Sequence, residues 1–255
     1  MQFADMLNIA GRLTSRKMRN AWQLYRSYRR SVRTEQNLHR GLPMSISVEP
    51  TTSCNLRCPE CPSGLRSFTR PTGMLRPELF QKMVDQLADD LIYLTFYFQG
   101  EPFLNPDFLE MVKYARAKNI YTATSTNAHY LTDETARAVI QSGLNRLIIS
   151  IDGTTQDAYQ SYRKGGSLEK VLAGTKNIVE WKKRLRSSSP HLIFQFLVTA
   201  HNEHEIPEVR RLAKELGVNE VRLKTAQIYD YENGSPLMPK NDKYSRYRLN
   251  GDGKY

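Results

Sequence analysis

The chain has 255 residues, of which 40% are hydrophobic and 25% charged, with a formal net charge of +11. That length suits one α/β domain with a sizeable core, and the balance reads as soluble and globular; no apolar run approaches a membrane span. The N-terminus lacks the apolar stretch of a secretory signal, so a reducing, cytoplasmic setting is expected, while its Arg-rich, acid-poor character leaves a transit peptide open.

Charge is concentrated at the start: residues 1–40 hold nine Lys or Arg against two acids, seven of the eleven net charges. Residues 3–32 mix Met6, Leu7, Leu13, Trp22, Leu24, Tyr25 and Tyr28 with Arg12, Arg16, Lys17, Arg19, Arg26, Arg29 and Arg30, the pattern of one or two basic amphipathic helices. The preferred reading is a helical extension packed on the main domain with its basic face in water. Contact with an anionic membrane surface stands second, and no nucleic-acid partner is expected.

From Ser45 onward strands and helices alternate. Strands are expected at 46–48, 91–98, 120–125, 146–151, 192–198 and 221–226, from short β-branched or apolar runs. Helices are expected at 76–88, with Pro77 in the first turn, at 106–117, with Asn105 as N-cap, and at 132–143, 168–186 and 206–216, the last closed by Gly217. Six such repeats predict a parallel sheet with right-handed crossovers, an open (β/α)6 partial barrel of TIM-like type. The boundaries expected are an extension over 1–43, a core over 44–235 and a linker over 236–255.

All three cysteines fall in one window, Cys54-Asn55-Leu56-Arg57-Cys58-Pro59-Glu60-Cys61. A disulfide would leave an odd thiol, and a zinc site would want a histidine at finger spacing, whereas His39 and His129 are the nearest. Three thiolates can hold three irons of a [4Fe–4S] cube, leaving the fourth iron open; electron carriers usually close all four positions. The residues that follow the other strands are as telling. Gln99-Gly100-Glu101-Pro102 follows the second, Ser125-Thr126-Asn127 the third, and Ser150-Ile151-Asp152 ends the fourth. In parallel α/β barrels the chemistry sits at these C-terminal strand ends. Each segment also has a plain reading as a turn, and Arg163 one as a surface residue.

The Cys-x3-Cys-x2-Cys motif after a first strand resembles the radical S-adenosylmethionine (SAM) enzymes. The stretch Val48–Cys58 resembles their branch with a C-terminal SPASM domain. The resemblance covers roughly 44–235. It implies a [4Fe–4S] cluster on Cys54, Cys58 and Cys61 and SAM on the open iron, cleaved reductively to a 5′-deoxyadenosyl radical that abstracts a substrate hydrogen. It implies SAM contacts at Gln99, Gly100, Glu101 and Pro102, at Ser125 and Asn127, at Ser150 and Asp152, and at Arg163, which would pair with the SAM carboxylate. A peptide or protein substrate follows by analogy, and an acidic flavodoxin- or ferredoxin-like electron donor would suit the basic surface. Three positions depart from the pattern. Glu60 stands where relatives have an aromatic residue, and Ala128 where they have glycine. The linker-like stretch 239–247 is followed by none of the cysteines a SPASM domain brings, so either a fragment or a chain that has lost its auxiliary clusters is expected, the polar end at 249–255 favouring a fragment. Tyr93, Tyr97, His129 and Tyr229 are read as core or surface residues rather than cavity lining. The alternatives are a non-catalytic iron–sulfur carrier or sensor, which needs a fourth ligand, and a basic binding protein with a structural metal.

Overall fold

A computed structural model describes residues 3–249 and residue 254. Six parallel strands form one sheet in chain order: β1 Ser45–Ser47, β2 Tyr93–Thr95, β3 Tyr121–Thr126, β4 Arg146–Ser150, β5 His191–Val198 and β6 Glu220–Thr225. Sequential order with parallel pairing requires a crossover on one face each time. β1 and β6 are the two edges, so the partial barrel is open.

The helices are α1 Phe3–Ala10, α2 Ser15–Thr34, α3 Pro62–Leu65, α4 Pro77–Leu87, α5 Phe108–Ala117, α6 Asp133–Gln141, α7 Gln156–Tyr162, α8 Leu168–Arg184 and α9 Ile206–Leu216. Among the described residues none is long and apolar enough to cross a membrane. The core lies between the outer face of the sheet and the helices. β5 shows why: Leu192, Phe194, Phe196 and Val198 alternate outward and are buried, each contributing roughly 1.5–3 kcal/mol.

Most expected elements stand within two residues of their places. β2 is shorter than the run 91–98, because Tyr97-Phe98-Gln99 bends away into a loop and Phe98 is 76% exposed. Asn105 does not cap α5, which starts at Phe108. Its amide instead donates to the carbonyls of Pro50 (2.7 Å) and Leu75 (3.0 Å), clamping the loop after β1. Two short helices were not anticipated, α3 and α7; Thr155 caps α7 by accepting from Ala158 N.

The basic extension packs on the N-terminal ends of the strands. Asp5 is buried and accepts hydrogen bonds from Tyr121 and Arg146. Arg146 also donates to the Tyr93 hydroxyl (3.0 Å), and the Tyr93 and Tyr121 rings stack at 5.0 Å. Lys17 donates to the carbonyl of Asn119 (2.7 Å).

The segment after β6, read as a linker from 236 onward, folds back. Leu237 and Met238 are buried with Ala226 and Ile228 against Leu56, Cys58 and Tyr162, a second small core beneath the cysteine loop. Tyr247 holds this return by bonding both N–H and C=O of Ile228. Residues 250–253 and 255 lie outside the described residues.

Candidate active site at the C-terminal ends of the strands

One cavity of about 220 Å3 collects residues from every loop singled out in the sequence. Cys54, Cys58 and Cys61 line it together with Gln99, Gly100, Glu101, Ser125, Asn127, Ser150 and Arg163. Asp152 and Pro102 do not line it. Asp152 lies behind Arg163, and Pro102, itself buried, opens a 3-10 turn over 102–104. A larger groove of about 330 Å3 between α4 and α5 contains no thiol and no convergent polar set.

All three thiols are free, and each faces one polar side chain from a different loop. Cys61 Sγ is 3.4 Å from Gln99 Oε1, Asn127 Nδ2 is 3.9 Å from Cys54 Sγ, and Arg163 Nη1 is 3.8 Å from Cys58 Sγ. Burial pushes the Cys54 thiol up to about 11 and raises that of Cys58 as well, although Arg163 pulls the latter down. Without a metal these groups therefore stay protonated at neutral pH; a metal is what makes them thiolates. Among the described residues no three His, Cys, Asp or Glu converge on a single metal point. The donor set fits an iron–sulfur cluster in chemistry and position.

The loop after β2 is fixed by backbone contacts. Gly100 has φ +81°, and a Cβ there would lie 2.0 Å from the Thr51 carbonyl oxygen, so only glycine fits. Its N–H donates to Ser63 Oγ (2.9 Å), and Ser63 in turn donates to Gln99 Oε1 (3.0 Å). Gly64 lets α3 sit on the Cys58 backbone, since a Cβ would approach Cys58 N and O to 2.5 Å.

Glu101 does not point its carboxylate at the cavity centre. It accepts from Thr126 Oγ1 (2.7 Å), Asn127 N (2.8 Å) and Phe103 N (3.3 Å), tying the β2 loop to the β3 loop. Burial pushes its carboxyl up to about 7 against the pull of those bonds. Ala128 adopts φ +63°, so the turn after Asn127 is held in a left-handed conformation at some strain. His129 bridges Asn127 O (2.9 Å) and Ser167 N (2.9 Å); burial lowers its basicity, and a neutral ring with the proton on Nδ1 satisfies both bonds. It is a structural histidine, as is Tyr93 a structural tyrosine, while Tyr97 does line the cavity.

Arg163 is held by Asp152, whose other oxygen accepts from Leu197 N (2.7 Å). Burial works against the guanidinium charge, but Asp152 more than offsets it, so Arg163 stays cationic beside the thiols. Its Nη2 has no partner among the described residues, and neither do the Ser125 and Ser150 hydroxyls or the Gln195 amide. These unpaired groups face the cavity. Gln195 was missed by the sequence reading, though it stands as a lone amide in the apolar strand Leu192–Val198 and so carried a signal. Glu60 accepts from Tyr229 N (3.0 Å) and so anchors the return segment to the cysteine loop.

Residues 48–213 match the family model described as the radical SAM superfamily. The chain belongs to that superfamily, whose cofactors are a [4Fe–4S] cluster and SAM. It is 28% identical over 205 residues to the PqqA peptide cyclase of Gluconobacter oxydans, covering 79% of this chain and 55% of that protein. It is 30% identical over 176 residues to the AdoMet-dependent heme synthase of Methanosarcina barkeri, covering 69% and 48%. The fold matches that of Streptococcus suis SuiB bound to S-adenosylmethionine with a TM-score of 0.65 at 14% identity, over 85% of this chain and 47% of the other. The chain thus spans about half the length of the relatives it matches.

Proposed function

We propose that residues 44–235 form the catalytic core of a radical SAM enzyme acting on a peptide or protein, with residues 1–43 as an extension. The observation that carries this reading is the single cavity in which three free thiols meet the loops of β2, β3 and β4. Cys54, Cys58 and Cys61 would hold the cluster, which when bound supplies the electron that cleaves SAM to methionine and a 5′-deoxyadenosyl radical. The protein's own part is placement. Asn127 and Arg163 direct N–H groups towards two of the sulfurs. Arg163 Nη2, Ser125, Ser150 and Gln195 offer donors and acceptors for the SAM carboxylate and ribose, and Gly100 allows close backbone approach. Asp152 fixes Arg163, and Glu101 fixes Asn127.

A peptide substrate is supported by the peptide cyclase among the relatives. An acidic flavodoxin- or ferredoxin-like reductant suits a chain of net charge +11; reduction rates indifferent to ionic strength would remove that partner. The function is tested by anaerobic reconstitution with iron and sulfide, then dithionite and SAM, with mass spectrometry for 5′-deoxyadenosine. The product should form, and should vanish in the Cys54→Ala/Cys58→Ala/Cys61→Ala variant. An assembled cluster that yields no product would count against the reading.

A further inference from the structure

The face of α2 turned away from the barrel is unlike the rest of the surface. Met18, Trp22, Tyr25 and Val32 recur at spacings of four, three and seven residues, so they share one side of the helix. All four stand in solvent: Met18 is 59% exposed, Trp22 58%, Tyr25 49% and Val32 62%. An exposed apolar stripe of this kind on a folded chain marks a contact surface. Arginines border and interrupt it, Arg26, Arg29 and Arg33 among them, all exposed. The helix contains no acidic residue, and among the described residues the only carboxylates its arginines pair with are Asp89 and Asp90, through Arg16 at its first turn.

The helix cannot bury this stripe by rolling inward. Its opposite face is pinned by Lys17 to Asn119, by Asn20 in a two-way bond with Leu42 (2.8 Å each) and by Ser31 to the Leu38 carbonyl (2.8 Å). The stripe is therefore presented already folded, with no coil-to-helix cost on binding.

We propose that α2 docks this chain on an anionic lipid surface. Aliphatic Met18 and Val32 need an apolar seat, which the acyl boundary offers and a nucleic-acid groove does not. Trp22 and Tyr25, stacked at 5.7 Å, suit the headgroup level. The flanking guanidiniums meet lipid phosphates while their stems lie along the apolar layer. Docking there leaves the cavity, at the other end of the strands, open to water, reductant and substrate.

The test is co-sedimentation of the whole chain, without cofactors, with phosphatidylcholine vesicles that contain or lack phosphatidylglycerol, beside light scattering without lipid. The chain should bind the anionic vesicles at least about tenfold more tightly, and salt should weaken binding. Trp22→Ser with Val32→Ser should cut partitioning about tenfold or more. Arg26→Gln with Arg29→Gln and Arg33→Gln should cut it about fivefold per residue. Melting temperatures should hold, because every changed side chain is exposed. Three results would overturn the proposal: no vesicle binding, equal binding to neutral and anionic vesicles, or a dimer that Trp22→Ser dissociates, which would make a second copy the occupant.

Discussion

At the N-terminal ends of the strands, Asp5, Tyr93, Tyr121 and Arg146 are buried or nearly so and satisfy one another. At the C-terminal ends, Ser125, Ser150, Gln195 and Arg163 are as polar, yet each leaves a group without a partner among the described residues, facing a cavity beside three thiols. The first arrangement is closed and spends its polarity on structure. The second keeps hydrogen-bonding capacity in reserve for molecules the chain does not itself contain. Among the described residues the fully buried side-chain atoms without a partner belong to Arg12, Arg116, Tyr159 and Thr199, none of which lines the cavity, so what marks the binding site is spare hydrogen-bonding capacity that opens on a cavity beside the thiols, not the lack of a partner alone.

This contrast is open to attack by mutation. The largest effect on stability is expected at the base. Asp5→Ala removes the buried carboxylate that Arg146 and Tyr121 share and should cost about 3–5 kcal/mol in denaturant unfolding, with SAM binding by the reconstituted protein unchanged where the variant is still folded. A loss of SAM affinity there would erase the division between the two ends. Gly100→Ala comes next, at about 1–3 kcal/mol, since a Cβ meets the Thr51 carbonyl and φ is positive; thermal melts would check it, and an unaltered melt would mean the loop is not held as described.

Glu101 sharpens the comparison because it lies at the rim but works like a residue of the base. Its carboxyl is raised from 4.5 to about 7 by burial. In this range the folded state holds a proton that the unfolded state has released, so its contribution makes stability fall as pH rises from about 4.5 to 7 and levels off above. Glu101→Gln should remove that slope and cost about 1–3 kcal/mol through mismatched donors. Equilibrium unfolding across the pH range measures both. The smallest expected change in stability is that of Ser150→Ala, within about 0.5 kcal/mol, together with about tenfold weaker SAM binding by calorimetry. A large stability loss would make Ser150 structural instead.

The rim was legible in the sequence because its signals are local. The cysteine spacing, Gly100-Glu101-Pro102 and Ser150-Ile151-Asp152 each occupy a few consecutive residues at the end of an apolar run. The base was not, since Asp5 and Arg146 lie 141 positions apart and either alone reads as a surface charge. The same distance in sequence hid the bond between Glu60 and Tyr229 N, 169 positions apart, and with it the return of the segment after β6. The parts that Glu101 and Asp152 play as supports for Asn127 and Arg163 were not legible, because they depend on which way a side chain turns.

The central claim is that Cys54, Cys58 and Cys61 together with the strand-end residues form one cofactor site. It is tested most directly by iron and sulfide analysis and electron paramagnetic resonance of the anaerobically reconstituted, reduced chain, with and without SAM. The account predicts close to four irons per chain, a reduced-cluster signal that SAM shifts, and loss of both in the Cys54→Ala/Cys58→Ala/Cys61→Ala variant. A cluster signal indifferent to SAM, or iron retained by the triple variant, would contradict it.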